Sequence, residues 1–206
     1  MAYYDLSHLT QNSQKDTPAI QDDEALLLYA LIRVVRVQRV LELGFFDGYS
    51  ATNFLKAVGP SGKVYSCDIN TVKKLTHNHT PITKDAATLS ATDVDNTPLD
   101  LVFFDCHNLE AQMTCFQNLT EAGIITNKTI LALHDTGTYP YKVIDAAYEI
   151  SPGEFVHQPV ERLMVNKFAE MGYSPLCLHT EVAKTTVDLP FRKGLTVLSK
   201  FEPLKV

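Results

Sequence analysis

Seven side chains able to do acid–base or ligand chemistry stand at or just past short apolar runs. They are Glu42 in Val-Leu-Glu-Leu-Gly, Asp68, Asp85, Asp105, His107, His134 and Asp135. Carboxylates in such places can accept from hydroxyls, attract a cation or hold a hard metal ion, and an imidazole can move a proton near neutral pH. The first run continues Glu42-Leu-Gly-Phe-Phe-Asp-Gly-Tyr-Ser50. Gly44 and Gly48 permit a tight turn and let backbone approach a ligand with no Cβ between. Ser50 is placed to cap the next helix, whose N-terminus favours a carboxylate or phosphate. A dinucleotide fingerprint, G-x-G-x-x-G, would need glycine at 44, 46 and 49, but Phe46 and Tyr49 stand there. A bulky residue at 46 obstructs a pyrophosphate.

Asp68 follows the next apolar run by one step, roughly 20 residues after the turn, where an acid accepts from both hydroxyls of a ribose. Ile69 can then pack on the base. Asp85, beside Ala86, can accept from an exocyclic amino group. The ligand implied is a nucleoside without a pyrophosphate, and Glu42 favours one with a cationic tail.

These residues need strands to carry them. An acidic start at Asp22 and apolar residues at helical density predict a largely buried helix to about Val37. Strands are expected at Arg39–Gly44, Lys63–Cys67, Pro81–Lys84, Leu99–Phe104 and Ile130–His134. Helices are expected at Ser50–Val58, stopped by Gly59-Pro60, then at Leu109–Glu121, Tyr141–Ile150 and Val160–Met171. Ser174–Glu181 and Gly194–Phe201 read as two closing strands with no helix between, which must pair antiparallel. The alternation predicts an α/β fold: a Rossmann-like three-layer sandwich whose seven-stranded, mostly parallel sheet ends in an antiparallel C-terminal strand. Residues 1–21 read as a polar N-terminal arm and 22–206 as one domain. The loop from Pro152 to Glu161 is a candidate lid or acceptor wall. No role is assigned to His8, His77, His79, His157 or His179.

Residues 40–51, Val-Leu-Glu-Leu-Gly-Phe-Phe-Asp-Gly-Tyr-Ser-Ala, resemble the donor-binding motif of class I S-adenosylmethionine-dependent methyltransferases. The likeness is nearest to small-molecule O-methyltransferases of the catechol and caffeoyl-CoA type, and Val64–Asn70 resembles their ribose-binding strand. It runs, with gaps, from about residue 24 to 136. It implies that Glu42, Gly44, Gly48, Ser50 and Asp68 contact S-adenosylmethionine. Phe45, Phe46, Ile69, Asp85, Ala86 and Asp105 complete the expected cofactor-binding set. In those families acids matching Asp105 and Asp135 hold a divalent metal such as magnesium. Here their Asp-Asn pair is Asp135-Thr136, and Asn108 stands near the place of the catechol-type lysine. A broader methyltransferase group with an Asp…His…Glu-Ala run and a Leu-His-Asp strand end is matched by His107, Glu110-Ala111 and His134-Asp135. The expected catalytic residues are therefore His107, His134 and Asp135, with a histidine as general base; whether a metal takes part stays open.

Composition narrows the partners. The apolar fraction is 45%, the charged fraction 20% and the net charge −6. That gives no basic footprint for nucleic acid. No apolar run approaches the roughly 20 residues of a membrane helix. Four scattered cysteines form no Cys-x-x-Cys pair and read as reduced. With no leader-like start, the expected location is cytoplasmic and the expected partner a small-molecule acceptor. Nothing decides between a monomer and a homo-oligomer. A non-catalytic S-adenosylmethionine-binding or scaffold protein, and another nucleotide-cofactor α/β enzyme, remain the alternatives.

Overall fold

A computed structural model describes residues 4–9, 20–137, 148–156, 159–178 and 193–200. Helix α1 (Asp22–Val35) opens on a capping box between Gln21 and Glu24, with three acids in its first turn against the positive end of the dipole. It closes where Arg36 turns left-handed. The helix is less buried than its apolar content suggests. Ala25, Leu28, Tyr29 and Ile32 form the inward stripe, while Leu26, Leu27, Val34 and Val35 face outward.

Five strands follow in parallel: β1 (Arg39–Leu43), β2 (Lys63–Asp68), β3 (His79–Thr83), β4 (Leu101–Phe104) and β5 (Ile130–Leu133). Helix α2 (Tyr49–Val58) joins β1 to β2, and α3 (Leu109–Glu121) joins β4 to β5. The links β2–β3 and β3–β4 hold no α-helix, only two short 3₁₀ turns at Ala86–Thr88 and Ala91–Val94. Two short strands, β6 (Tyr148–Ser151) and β7 (Glu154–Val156), form a separate hairpin. Helix α4 (Val160–Glu170) leads to β8 (Ser174–Cys177), which pairs antiparallel with β9 (Thr196–Ser199). The seven-stranded sheet runs β3-β2-β1-β4-β5-β9-β8, and β9 alone opposes the common direction. The expected fold class is the one found.

One expected element is overturned. Tyr148–Ile150, read as the end of a helix from Tyr141, are strand; residues 138–147 lie outside the described ones. Pro152-Gly153 explains it: proline fixes the first turn position, and Gly153, at φ 82°, takes the left-handed second. The expected lid loop is consequently this turn, β7 and the start of α4, with His157 outside the described residues. His179 also lies outside them.

Both sheet faces are covered. Leu41, Leu43, Val102 and Phe104 pack toward Phe116 of α3 and Phe168 of α4. Val40, Leu101 and Phe103 pack toward Leu28 and Ile32 of α1 and Phe54 of α2. Phe54 and Phe103 are fully buried and meet edge to face at 5.2 Å. Truncating either to alanine removes about 3–5 kcal/mol. Residues 4–9, part of the expected arm, pack onto α2: His8 is buried and bonds Asn53 at 2.7 Å, and Lys56 pairs with Asp5 at 2.9 Å.

Candidate active site

Strand order reverses between β1 and β4, which lie side by side while β2 flanks β1 on its other edge. Ligands of open α/β sheets sit at such a switch, beyond the carboxyl ends. A cavity of about 780 Å³ opens there. Of the expected cofactor-binding residues, Gly44, Phe45, Phe46, Ser50, Asp68, Ile69, Asp85, Ala86 and Asp105 line it, as does His107. Glu42, Gly48, His134 and Asp135 are not among its lining residues.

The glycine turn is held by close packing. The Gly44 amide donates to Cys67 O at 2.8 Å, and the Asp105 amide to Leu43 O at 2.8 Å, so β1 and β4 converge on the same point. Gly44 has φ 98°, and a Cβ there would lie 2.3 Å from Asp105 O. Gly48 caps α2 at φ 82°, where a Cβ would strike the Phe45 ring at 2.7 Å. Its constraint is thus on the turn rather than on the cavity.

Asp68 staples this turn to β2. One carboxylate oxygen accepts from the amides of Phe45 (2.9 Å) and Phe46 (3.3 Å), and the other from the Asn70 amide at 2.8 Å. Burial alone would raise its pKa, but these amides outweigh it and hold the acid below its ordinary value. Phe46 (70% exposed) and Ile69 (75% exposed) stand apolar and uncovered at the rim.

Glu42 lies wholly inside. Strand alternation turns it to the α1–α2 face, where the Ser50 and Ser66 hydroxyls each donate to one of its oxygens. Burial pushes its pKa up to about 8, and nearby Asp105 and Asp68 add to the shift against the two hydroxyls. His79, left without a role, touches this network: it lies 3.1 Å from Ser66 Oγ and stacks on Phe45.

The other candidates cluster past β4 and β5. His134 Nδ1 lies 3.0 Å from Asp105 Oδ1 and 3.6 Å from Asp135 Oδ1. His107 Nε2 lies 3.6 Å from Asp135 Oδ2 and 3.9 Å from Asp105 Oδ1. Burial raises the Asp105 pKa to about 6 even against the opposing charge of His134. Burial would lower both histidines, but Glu161 overrides it at His107, whose pKa rises to about 9. The charges of Asp105 and Asp135 do the same at His134, raised well above its usual value. His134 is fully buried against Phe103, whereas the His107 side chain is 40% exposed. His107 and Asp135 are left-handed at φ 55°, as is Phe46 at φ 46°. For side chains with a Cβ this costs roughly 1–2 kcal/mol each, so the surrounding contacts must hold them there.

Three partners, Glu24, Glu161 and Gln112, escape a reading of the sequence. Glu24 of α1 puts Oε2 3.2 Å from His134 Nε2 and accepts from the Gly194 amide with Oε1. Glu161 of α4 accepts from the His107 amide at 2.9 Å, faces His107 Nδ1 at 3.3 Å and is steadied by Gln112 of α3 at 2.9 Å. Asn108 caps α3 by accepting from the Ala111 amide. Thr136 Oγ1 accepts from the Thr196 hydroxyl at 2.8 Å.

A sequence model described as O-methyltransferase matches residues 2–105, half of the chain. The chain belongs to the O-methyltransferase family. Solved structures agree on the fold. PaMTH1, a methyltransferase of Podospora anserina bound to S-adenosylhomocysteine, is 13% identical with TM-score 0.59, over 90% of this chain and 81% of that one. TomG of Streptomyces achromogenes, an O-methyltransferase of tomaymycin synthesis in complex with S-adenosylmethionine, is 16% identical with TM-score 0.56, over 96% and 89%. An O-methyltransferase of Bacillus cereus in complex with S-adenosylhomocysteine is 13% identical with TM-score 0.56, over 95% and 90%. Among the described residues no helix is long and apolar enough to cross a membrane.

Proposed function

We propose that the protein transfers the methyl group of S-adenosylmethionine to a hydroxyl oxygen of a small molecule. The observation that carries this is the cavity at the strand-order switch, with its exposed apolar rim, its ribose-side acid and a buried carboxyl behind. Its volume lies within the range of small-ligand sites. Phe46 and Ile69 gain burial when a flat base lies between them, and Asp68 meets the ribose with the lone pairs the turn amides leave. The amino-acid tail runs to Gly44, Ser50 and the start of α2. Glu42 acts on that tail through charge and through the Ser50 hydroxyl that donates to it.

The acceptor approaches from the Asp105–His107 end, so that its oxygen and the donor sulfur lie on opposite sides of the moving methyl. Alignment and exclusion of water supply much of the rate for such a displacement. His107 is the histidine that reaches the cavity; His134 and Asp135 act on it from behind. With its pKa near 9 in the unliganded protein, His107 is an orienting donor at neutral pH, and serves as a base only where its proton is displaced. Acids at 105 and 135 suit a divalent ion equally, the metal expected of the resembling families. A cytoplasmic location belongs to the same reading.

Calorimetry with S-adenosylhomocysteine tests the donor half, and a panel of phenols, catechols and aliphatic alcohols tests the acceptor half. Binding followed by methyl ethers is expected. Binding with no turnover on any acceptor would instead make this a non-catalytic donor-binding protein, and no binding would remove the proposal.

A further inference from the structure

A polar chain crosses one face of the sheet from β3 and ends on Glu42. Register brings its members together. Glu42 on β1 stands opposite Ser66 on β2, and His79, at the start of β3, stands opposite Val64, two places before Ser66. Residues two apart on a strand share a face, so the three side chains lie in one row. His79 is buried, and burial together with the charge of Lys74 holds its pKa below the usual value, so the ring is neutral. The Leu75 amide donates to His79 Nδ1 at 3.1 Å. A neutral imidazole carries a single N–H, which therefore sits on Nε2. Nε2 lies 3.1 Å from Ser66 Oγ and donates to it. The Ser66 hydroxyl in turn donates to Glu42 Oε2, and the Ser50 hydroxyl donates to Oε1. Every proton in the chain points toward Glu42.

We infer that His79 is a positioning residue for the methyl donor: acting through Ser66, it holds the Glu42 carboxyl as an acceptor on the Ser50 side, where the ammonium of the amino-acid tail binds. The role rests on the proposed donor site and extends it to a residue that does not line the cavity. Glu42 and Ser66 are both fully buried, so neither finds water as a partner. A buried acid keeps a charge only where donors surround it. Were Glu42 protonated, its own hydrogen would need an acceptor. With His79 already donating to the Ser66 oxygen, that hydroxyl is committed as a donor and only Ser50 is left to accept. The chain thus works against burial and favours the ionised acid, the form that attracts an ammonium group. Hydrogen bonds in series also polarise one another, which strengthens the last link. The His79 ring has a second contact, stacked on Phe45 at 5.8 Å and 18°. Phe45 belongs to the glycine turn, so this contact supports the whole donor site rather than the tail alone.

The test compares two ligands on the full chain by calorimetry: S-adenosylhomocysteine, and 5′-methylthioadenosine, which shares its nucleoside and sulfur but lacks the amino-acid tail. His79→Phe keeps a ring on Phe45 and removes both nitrogens. It should weaken S-adenosylhomocysteine by about 3- to 10-fold more than methylthioadenosine, the scale of one net hydrogen bond. His79→Gln, whose amide can again donate to Ser66, should restore the preference for the tail. Ser66→Ala should show the same selective loss, and the double variant no more than either alone, because both changes cut one chain. Equal losses of the two ligands in His79→Phe, or additive selective losses in the double variant, overturn the role and leave His79 as packing for the turn. Should His79→Phe fail to fold, His79→Gln and Ser66→Ala decide: the role stands if only the second loses the preference, and falls otherwise. Glu42→Gln reports on the donor site separately. A selective loss there with none in His79→Phe refutes only His79. Wild type that binds neither ligand, or Glu42→Gln that treats both alike, refutes the proposed tail site and this role with it.

Discussion

Asp68→Ala removes two things at once: the acceptor for the Phe45 and Phe46 amides at 2.9 and 3.3 Å, and the proposed ribose contact. A hydrogen bond to a charged acceptor is worth about 1.5–3 kcal/mol, and 1.4 kcal/mol is tenfold in affinity. Loss of the ribose contact alone therefore predicts S-adenosylhomocysteine binding weaker by about 10- to 100-fold. The loosened turn adds a further loss, softened because water reaches amides at this half-exposed edge. The two parts separate with a ligand lacking the 2′-hydroxyl. Turn loosening weakens both ligands alike, while the ribose contact weakens only the one carrying the hydroxyl. Calorimetry on wild type and variant with both ligands gives the four affinities. The mutation should cost the 2′-deoxy ligand clearly less than S-adenosylhomocysteine. Equal losses would refute the ribose role and leave Asp68 as a turn staple.

Glu42 has a pKa raised to about 8 against an ordinary value of 4.5. The contribution of Glu42 to stability is therefore fully present below about pH 4.5 and declines as pH rises toward 8, because the unfolded chain gives up a proton the folded chain keeps. Glu42→Gln should melt higher than wild type by a margin that widens over that range, while binding S-adenosylhomocysteine more weakly; a margin independent of pH would contradict the buried acid. Gly44→Ala sets a Cβ 2.3 Å from Asp105 O at a left-handed φ, so it should lower the melting temperature and abolish donor binding together. Wild-type binding in that variant would dissociate the turn from the site. Gly48→Val should likewise abolish binding, through Phe45 and the start of α2, and normal calorimetric affinity would count against it.

Much of the proposed donor side was legible in sequence because its signals are local. Glycines at 44 and 48, a serine at 50 and an acid at the end of the next strand sit within 25 residues, and they converge because β1 and β2 pair in register from Arg39↔Lys63 to Leu43↔Cys67. The proposed acceptor side was harder. Glu24 and Glu161 stand in the first turns of α1 and α4, where acids ordinarily answer the helix dipole, so nothing in their spacing marks them as partners of histidines. Strand alternation decided which tip residues reach the cavity: His134 continues the face of Ala132 toward α1, away from the opening. The β6–β7 hairpin did leave a signal, Pro152-Gly153 after alternating Tyr-Glu-Ile-Ser, which the helical density upstream obscured.

A crystal structure with S-adenosylhomocysteine tests the central claim most directly. The account predicts the nucleoside between Phe46 and Ile69, its ribose hydroxyls on Asp68, its amino-acid tail at Gly44 and Ser50, and its sulfur directed toward the Asp105–His107 end. Ligand bound elsewhere on the sheet, or in this cavity with the ribose turned away from Asp68, would contradict it.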